Sequence, residues 1–132
     1  MNNGQLPAMK KTNPLQVKSF KFALNIIEIY KQLIKEKEFV MSKQLLRSGT
    51  SIGANIEEAL QAQSKKDFIH KLSIALKEAQ ETGYWIKLLK ESSILDKEKA
   101  TDLFIQAKEL MKMLTAIIKT SKSNILKQSI EH

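Results

Sequence analysis

Cysteine is missing from this sequence of 132 residues, and several other residue types are scarce. Without cysteine the chain forms no disulfide, no thiolate metal site and no cysteine nucleophile. Proline occurs only at Pro7 and Pro14, and glycine only four times, so most of the chain can form long uninterrupted helices. Aromatic residues make up only 6% of the sequence, which predicts a mainly aliphatic core.

Catalytic and cofactor-binding motifs are also scarce. The two histidines are His70 and His132, and neither follows a glutamate by three residues, so the Glu-x-x-His pairs of di-iron carboxylate bundles are missing. Ser/His catalysis needs a base and an orienting group held in a pocket, and we expect His70, near the start of the third helix, to lie on the surface. No glycine-rich phosphate loop follows a strand pattern. We therefore expect a protein that is not an enzyme, with no catalytic residue, cofactor or metal.

The longest apolar runs fall well short of the roughly 18 residues that a membrane span needs. The first residues, MNNGQLPAMKKTNP, contain no apolar segment of the kind found in secretory signals. These features predict a cytoplasmic protein without a membrane partner.

Apolar residues recur at helical spacing through most of the chain, which predicts an all-α fold. Residues 1–12 are polar and basic and are expected to form a flexible arm. Four helices should follow: from Pro14 to about Lys35, from near Glu38 to about Gln63, from Lys65 to near Ser92, and from after Asp96 to about Lys119. Asn13, Ser64 and Asp96 are the expected N-caps. Residues 13–120 should form an antiparallel up-down-up-down four-helix bundle with long helices and short turns, and residues 121–132 a frayed tail.

The second helix contains Gly49 and Gly53, each of which weakens a helix by roughly 1 kcal/mol relative to alanine. Close approach of another helix would offset this cost. The alternative is that the segment SGTSIG is a loop that divides the helix.

The first helix has two apolar stripes, about 110° apart, where a monomeric bundle needs only one. One stripe contains Phe20, Ala23, Leu24, Ile27, Tyr30 and Ile34. We assign the other to a homo-oligomer interface: Phe22, Ile26, Ile29 and Leu33. Both stripes are expected to be shielded, one inside the subunit and one against a neighbour.

A line of polar residues lies beside the core stripe of the second helix, and two glutamates interrupt an apolar stripe of the third. The expected polar network contains Gln44, Arg47, Ser51, Asn55, Glu58, Glu78 and Glu81. Arg47 is the natural counter-charge for the two carboxylates of the third helix, because an unpaired buried charge is costly. The network either fixes helix register and subunit pairing or forms a ligand or metal site.

The formal net charge is +8, and lysine supplies all but one of the 22 basic residues. Lysine attracts phosphates without reading base sequence. Positive charge concentrates toward the two ends of the chain, and the candidate nucleic-acid-binding residues are Lys10, Lys11, Lys18, Lys21, Lys112, Lys119 and Lys122. They predict salt-sensitive, sequence-nonspecific binding of RNA or DNA. The alternative is a solvated surface on a scaffold that binds only protein.

Two motifs carry a family resemblance. The run Arg-Ser-x-x-Ser-Ile-x-x-Asn-Ile-x-Glu spans Arg47 to Glu58, and Glu-x-x-Tyr-Trp spans Glu81 to Trp85. Over roughly residues 15–120 the chain resembles the four-helix-bundle proteins encoded in intervening sequences of 23S ribosomal RNA genes. The signature contains no known catalytic residue. Ala59 stands where many members have glycine, and no proline precedes the second helix, so the branch within the family stays open.

The resemblance implies an antiparallel bundle similar to homopentameric, barrel-shaped relatives. It also implies similarity to the accessory proteins of diversity-generating retroelements, which are basic pentamers that bind nucleic acid and a reverse transcriptase. From it we expect a pentamer, with RNA, DNA, a reverse transcriptase or another protein as partner.

Overall fold

The computed structural model describes residues 13–131 and shows four helices, with no strand in that range. Helix α1 spans Pro14–Lys35, α2 spans Met41–Leu60, α3 spans Lys65–Glu91 and α4 spans Lys97–Glu131. Each helix packs against the next one in the chain, and α4 closes the ring by packing more loosely against α1. The four-helix bundle is therefore confirmed. The predicted arm of residues 1–12 lies outside the described part of the chain.

Side-chain caps fix where the helices begin. The amides of Gln16, Asp67 and Lys99 donate to the side chains of Asn13, Ser64 and Asp96, at 3.0, 3.1 and 3.1 Å. These three N-caps are the ones that the sequence predicts, because short oxygen-bearing side chains satisfy amides that have no partner within the helix.

Helix α2 begins later than predicted, at Met41 rather than near Glu38. The Glu38 carboxylate accepts hydrogen bonds from the amides of Val40, Met41 and Ser42, the last at 2.7 Å. A side chain that caps the first turn from outside the helix also stabilises its positive end. Glu38 is therefore the residue that caps α2.

The core-facing stripe of α1 is the one that we had assigned to an oligomer interface, so that assignment is wrong. Phe22, Ile26, Ile29 and Leu33 are all buried inside their own bundle. Two apolar stripes on one helix are equivalent in periodicity, and only packing against α2 decides between them. The other stripe lies outside the core: Phe20 and Leu24 are exposed, while Ile27 and Ile34 are half-buried.

Close contact with α1 explains the first glycine of α2. A Cβ added at Gly49 would lie 2.8 Å from Cγ1 and 2.9 Å from Cγ2 of Ile26. At Gly53 an added Cβ would lie 3.5 Å from the Ser19 carbonyl oxygen, an ordinary contact distance. The helix is continuous through both glycines, so the alternative of a dividing loop is wrong.

Helix α4 continues to Glu131, although the sequence predicts its end near Lys119 and a frayed tail from residue 121. The last segment contains neither glycine nor proline, and extending an existing helix adds one hydrogen bond for each residue fixed. Ser121 lines a cavity together with the α2–α3 turn, so α4 passes the end of the bundle there. Residues 122–130 extend beyond it, and all but the half-buried Ile125 are exposed.

Candidate functional site

A group of charged and polar side chains joins α2 to α3. The Arg47 guanidinium lies 3.3 Å from Oε1 of Glu78 and donates a second hydrogen bond to Glu81. The indole N–H of Trp85 also donates to Glu81, at 3.2 Å. We call these four residues the Arg47 cluster. The predicted pairing of Arg47 with both glutamates is present in this geometry, and it ties α2 to α3 at mid-height.

The Arg47 cluster is half-exposed rather than buried. The hydrogen bond from Arg47, followed by the one from Trp85, lowers the pKa of Glu81. Both donors favour the charged carboxylate, so Glu81 stays ionised through neutral pH. With its donors already engaged, the cluster acts as a clamp between two helices.

The remaining members of the predicted polar network do not join this cluster. The Ser51 hydroxyl donates to the Arg47 carbonyl at 2.6 Å and the Asn55 amide donates to the Ser51 carbonyl at 2.8 Å, so both bond to their own helix. Glu58 pairs with Lys71 at 2.8 Å, and Gln44 is exposed. The expectation of one continuous interior network is therefore wrong, because these side chains bond within α2, pair with Lys71 or face solvent.

A buried hydroxyl pair between α2 and α3 was not anticipated from the sequence. The Ser48 and Thr82 hydroxyl oxygens lie 2.9 Å apart, and both side chains are fully buried. Ser48 directly follows Arg47 and Thr82 directly follows Glu81, so the pair lies on the inner side of the same α2–α3 contact. Two features of the sequence could have indicated this pair: Ser48 directly follows Arg47, and Thr82 lies at the spacing of the core residues of α3.

A second surface is apolar and lies on α1. Phe20 is 63% exposed, Leu24 48% and Val17 43%. We call these three residues the α1 outer face. Isolated exposed apolar residues are ordinary, but three that share one side of the same helix, beside half-buried Ile27, form a contiguous patch of the kind found at interfaces.

The candidate lysines fall into three groups in the structure. Lys10 and Lys11 lie outside the described residues. Lys18 pairs with Glu109 of α4 at 2.7 Å, which reduces its availability to a phosphate. Lys21 is exposed on α1. The other three, Lys112, Lys119 and Lys122, are exposed on α4, and among residues 13–131 no salt bridge involves them.

We call Lys112, Lys119 and Lys122 the α4 lysine face. At 3.6 residues per turn they fall within an arc of about 80°, whose centre lies about 120° around the helix from buried Leu114. No acidic residue occurs between Glu109 and Glu131. The absence of acidic residues from this stretch is visible in the sequence, and it indicates a positive surface that counting lysines alone does not reveal. The second half of α4 is therefore a cationic rod whose charge is not neutralised along its length.

The groove between α1 and α4 contains two cavities, of about 570 and 440 Å³. Polar contacts bridge it, including Asn25 to Gln106 at 2.9 Å and Lys99 to Gln32 at 2.9 Å. The groove is open to solvent, and amides and lysines dominate its polar lining. Within residues 13–131 no three histidines or carboxylates converge into a group that could hold a metal ion. No helix in that range is both long and apolar enough to cross a membrane.

The fold and these surfaces define an antiparallel helical bundle with a clamped α2–α3 seam and a basic fourth helix. The family model for the 23S rRNA-intervening sequence protein matches residues 11–116. The chain therefore belongs to the 23S rRNA-intervening sequence protein family, as the two sequence motifs predict.

A solved structure is similar to this chain along most of its length. It is the crystal structure of a protein of unknown function from the S23 ribosomal protein family of Bacteroides thetaiotaomicron VPI-5482. The two sequences are 54% identical, the match covers 80% of this chain and 98% of that one, and the TM-score is 0.78. No curated protein matches the chain.

Proposed function

We propose that this chain is a non-enzymatic, self-associating protein of the cytoplasm that binds nucleic acid through the α4 lysine face. The observation that carries the proposal is the acid-free second half of α4, with Lys112, Lys119 and Lys122 exposed on one side. Lysines arranged in this way attract phosphates without fixing base sequence. Binding is therefore salt-sensitive and nearly independent of sequence.

Self-association is the second part of the proposal, and the α1 outer face supports it. Phe20, Leu24 and Val17 give a copy of this chain an apolar contact surface that the bundle itself does not cover. The family resemblance suggests five copies. Repetition of the α4 lysine face in one particle would raise affinity for a long polyanion without any new contact.

Charge-matched variants test the nucleic-acid part. The triple variant Lys112→Gln, Lys119→Gln and Lys122→Gln removes the face, and Lys43→Gln, Lys77→Gln and Lys87→Gln removes three exposed lysines of α2 and α3. Both sets lower the net charge equally, and glutamine keeps helix propensity close to that of lysine. In fluorescence anisotropy titrations with a labelled nucleic acid, the first set should weaken binding far more than the second. Equal weakening would mean that only total charge matters.

The alternative is a scaffold that binds protein alone. Exposed Tyr84 favours it, since its ring lies 5.4 Å from that of Trp85 beside the Arg47 cluster, and Tyr, Trp and Arg are enriched at protein interfaces. The same titration separates the two functions. Absence of binding at about 50 mM salt, where phosphate contacts are strong, would leave the scaffold as the better proposal.

A further inference from the structure

Resting on the proposed function, we infer that the α4 lysine face binds the phosphate backbone of a nucleic-acid duplex and discriminates against single strands. The inference depends on what surrounds the lysines as much as on the lysines themselves. Proteins that hold single strands combine a basic groove with aromatic side chains on which successive bases stack, and each stacked base contributes about 1–3 kcal/mol. The α4 lysine face has the charge without the stacking surface.

No aromatic residue follows Phe104 in the sequence. Phe104 itself is half-buried against α3, where an added Cβ at Gly83 would lie 3.6 Å from its ring, and Lys108 covers the ring at 5.9 Å. The exposed aromatic side chains of the described residues, Phe20, Phe39 and Tyr84, belong to α1, the α1–α2 turn and α3. Bases of a strand held along distal α4 would therefore have no ring to stack on.

Arginine, the other side chain that stacks on bases, gives no help. Arg47 is the single arginine of the chain, because lysine accounts for the other basic residues. Its guanidinium is held by Glu78 and Glu81 on the α2–α3 seam. A flexible single strand would have to become ordered along α4 with phosphate contacts alone, and no stacking energy would help to offset the entropy lost.

A duplex does not carry that cost, because its phosphates are already ordered. It presents one negative charge per roughly 1.7 Å of axis. Lys112 and Lys122 are about 15 Å apart along α4, a span that faces about nine duplex phosphates on the two strands. All three lysines are exposed, and from Lys122 onward the helix extends past the α2–α3 turn with most of its side chains exposed, so this end of the face is open to a wide ligand.

Base reading is not expected at this surface. Bidentate recognition of bases is best served by the planar groups of arginine, asparagine and glutamine, whereas the lysine ammonium is a point charge on a flexible stem. Asn124 and Gln128 lie on α4, but helical geometry turns them about 120–160° away from Lys122. Duplex DNA and duplex RNA both present the required backbone, so the phosphate array rather than the sugar defines the ligand.

Anisotropy titrations with four labelled probes of one length test the inference: duplex DNA, duplex RNA, and unstructured single strands of each sugar. A length of about 20 nucleotides exceeds the span of the face. The full chain should bind at least one duplex about tenfold or more tighter than the single strand of the same sugar. For three phosphate contacts per copy, the duplex affinity should fall with a logarithmic salt slope of about −2.7. Replacing Lys112, Lys119 and Lys122 with glutamine should abolish that preference.

Each outcome decides one statement. Tighter or equal binding of single strands, with a response to the triple variant, would overturn the duplex inference and leave the proposed function in place. Binding of duplexes that ignores the triple variant would overturn the assignment to α4. Failure to bind any of the four probes at about 50 mM salt would refute the proposed function itself. Preference for a duplex of either sugar supports the inference.

Discussion

Replacement of Gly49 with alanine should destabilise the bundle, although alanine is the better helix former. The added Cβ would lie 2.8 and 2.9 Å from the two γ-carbons of Ile26, closer than packed carbon atoms approach. Ile26 is fully buried, and its β-branched side chain has few rotamers to choose from. The γ-carbons are fixed close to the backbone of α1, so the helices must move apart or the side chain must leave its rotamer.

Two opposing effects set the magnitude. Alanine gains about 1 kcal/mol of helix propensity over glycine. Overpacking of a close-packed core costs typically about 1–3 kcal/mol. We expect a net loss of about 1 kcal/mol, which for a domain of this size lowers the melting temperature by about 3–5 °C.

Gly53→Ala is the matched control on the same helix. Its added Cβ meets the Ser19 carbonyl oxygen at 3.5 Å, an ordinary contact, so the propensity gain should appear almost undiminished. We expect stabilisation by about 0.5–1 kcal/mol, opposite in sign to the effect at Gly49. Urea unfolding followed by circular dichroism, at one fixed protein concentration, measures both.

A double-mutant cycle shows whether the clash causes the loss. Ile26→Ala removes the atoms that the new methyl group would strike, so Gly49→Ala should become neutral or stabilising in that background. The coupling energy should be at least about 1 kcal/mol. If Gly49→Ala stabilises the wild-type chain as much as Gly53→Ala does, the packing explanation for this glycine is wrong.

Three further perturbations give separate tests. Ser64→Ala should cost about 1 kcal/mol in urea unfolding by removing the cap of α3, whereas Ser123→Ala on exposed α4 should cost little. The pKa of Glu81 is lowered in the folded protein, so its ionised form stabilises the fold above the unfolded carboxyl pKa of about 4.3, and this stability is lost as the pH falls through the folded pKa. Acid titration should therefore change the fluorescence of Trp85, which donates to Glu81, and Glu81→Gln should remove that step. Removal of residues 122–132 should shift the melting temperature by no more than about 2–4 °C, because the described part of that segment is largely exposed.

Most of the fold could be predicted because its signals are local. Caps at Asn13, Ser64 and Asp96 and the absence of proline after Pro14 determine where three of the helices begin. The end of α4 lies later than the sequence predicts, because apolar periodicity is lost after Ile118 although the helix continues. Burial and helicity are separate properties, and polar residues without a breaker continue a helix into solvent.

The surfaces were harder to predict because they depend on packing. The two stripes of α1 have the same period, and the sequence contains no local feature that shows which one meets α2. Gly49 against Ile26 is the contact that reveals the choice. The pairing of Arg47 with Glu78 and Glu81 could be predicted from charge alone, but its half-exposed position could not, because exposure depends on how far α2 and α3 separate at their outer edge.

The correction on α1 changes what the assembly hypothesis predicts. The α1 outer face and the α4 lysine face lie on different helices, and the polar contacts of α4 with α1 use Lys99, Gln106 and Glu109, none of which belongs to the α4 lysine face. Copies joined through Phe20 and Leu24 would therefore leave every lysine face exposed, and each added copy would steepen the salt dependence of binding to a long polyanion. Phe20→Ser with Leu24→Ser should lower the mass in light scattering and flatten that slope, whereas the triple lysine variant should lose binding and keep its mass. If the serine variant loses mass and keeps the wild-type slope, repetition of the face contributes nothing to binding.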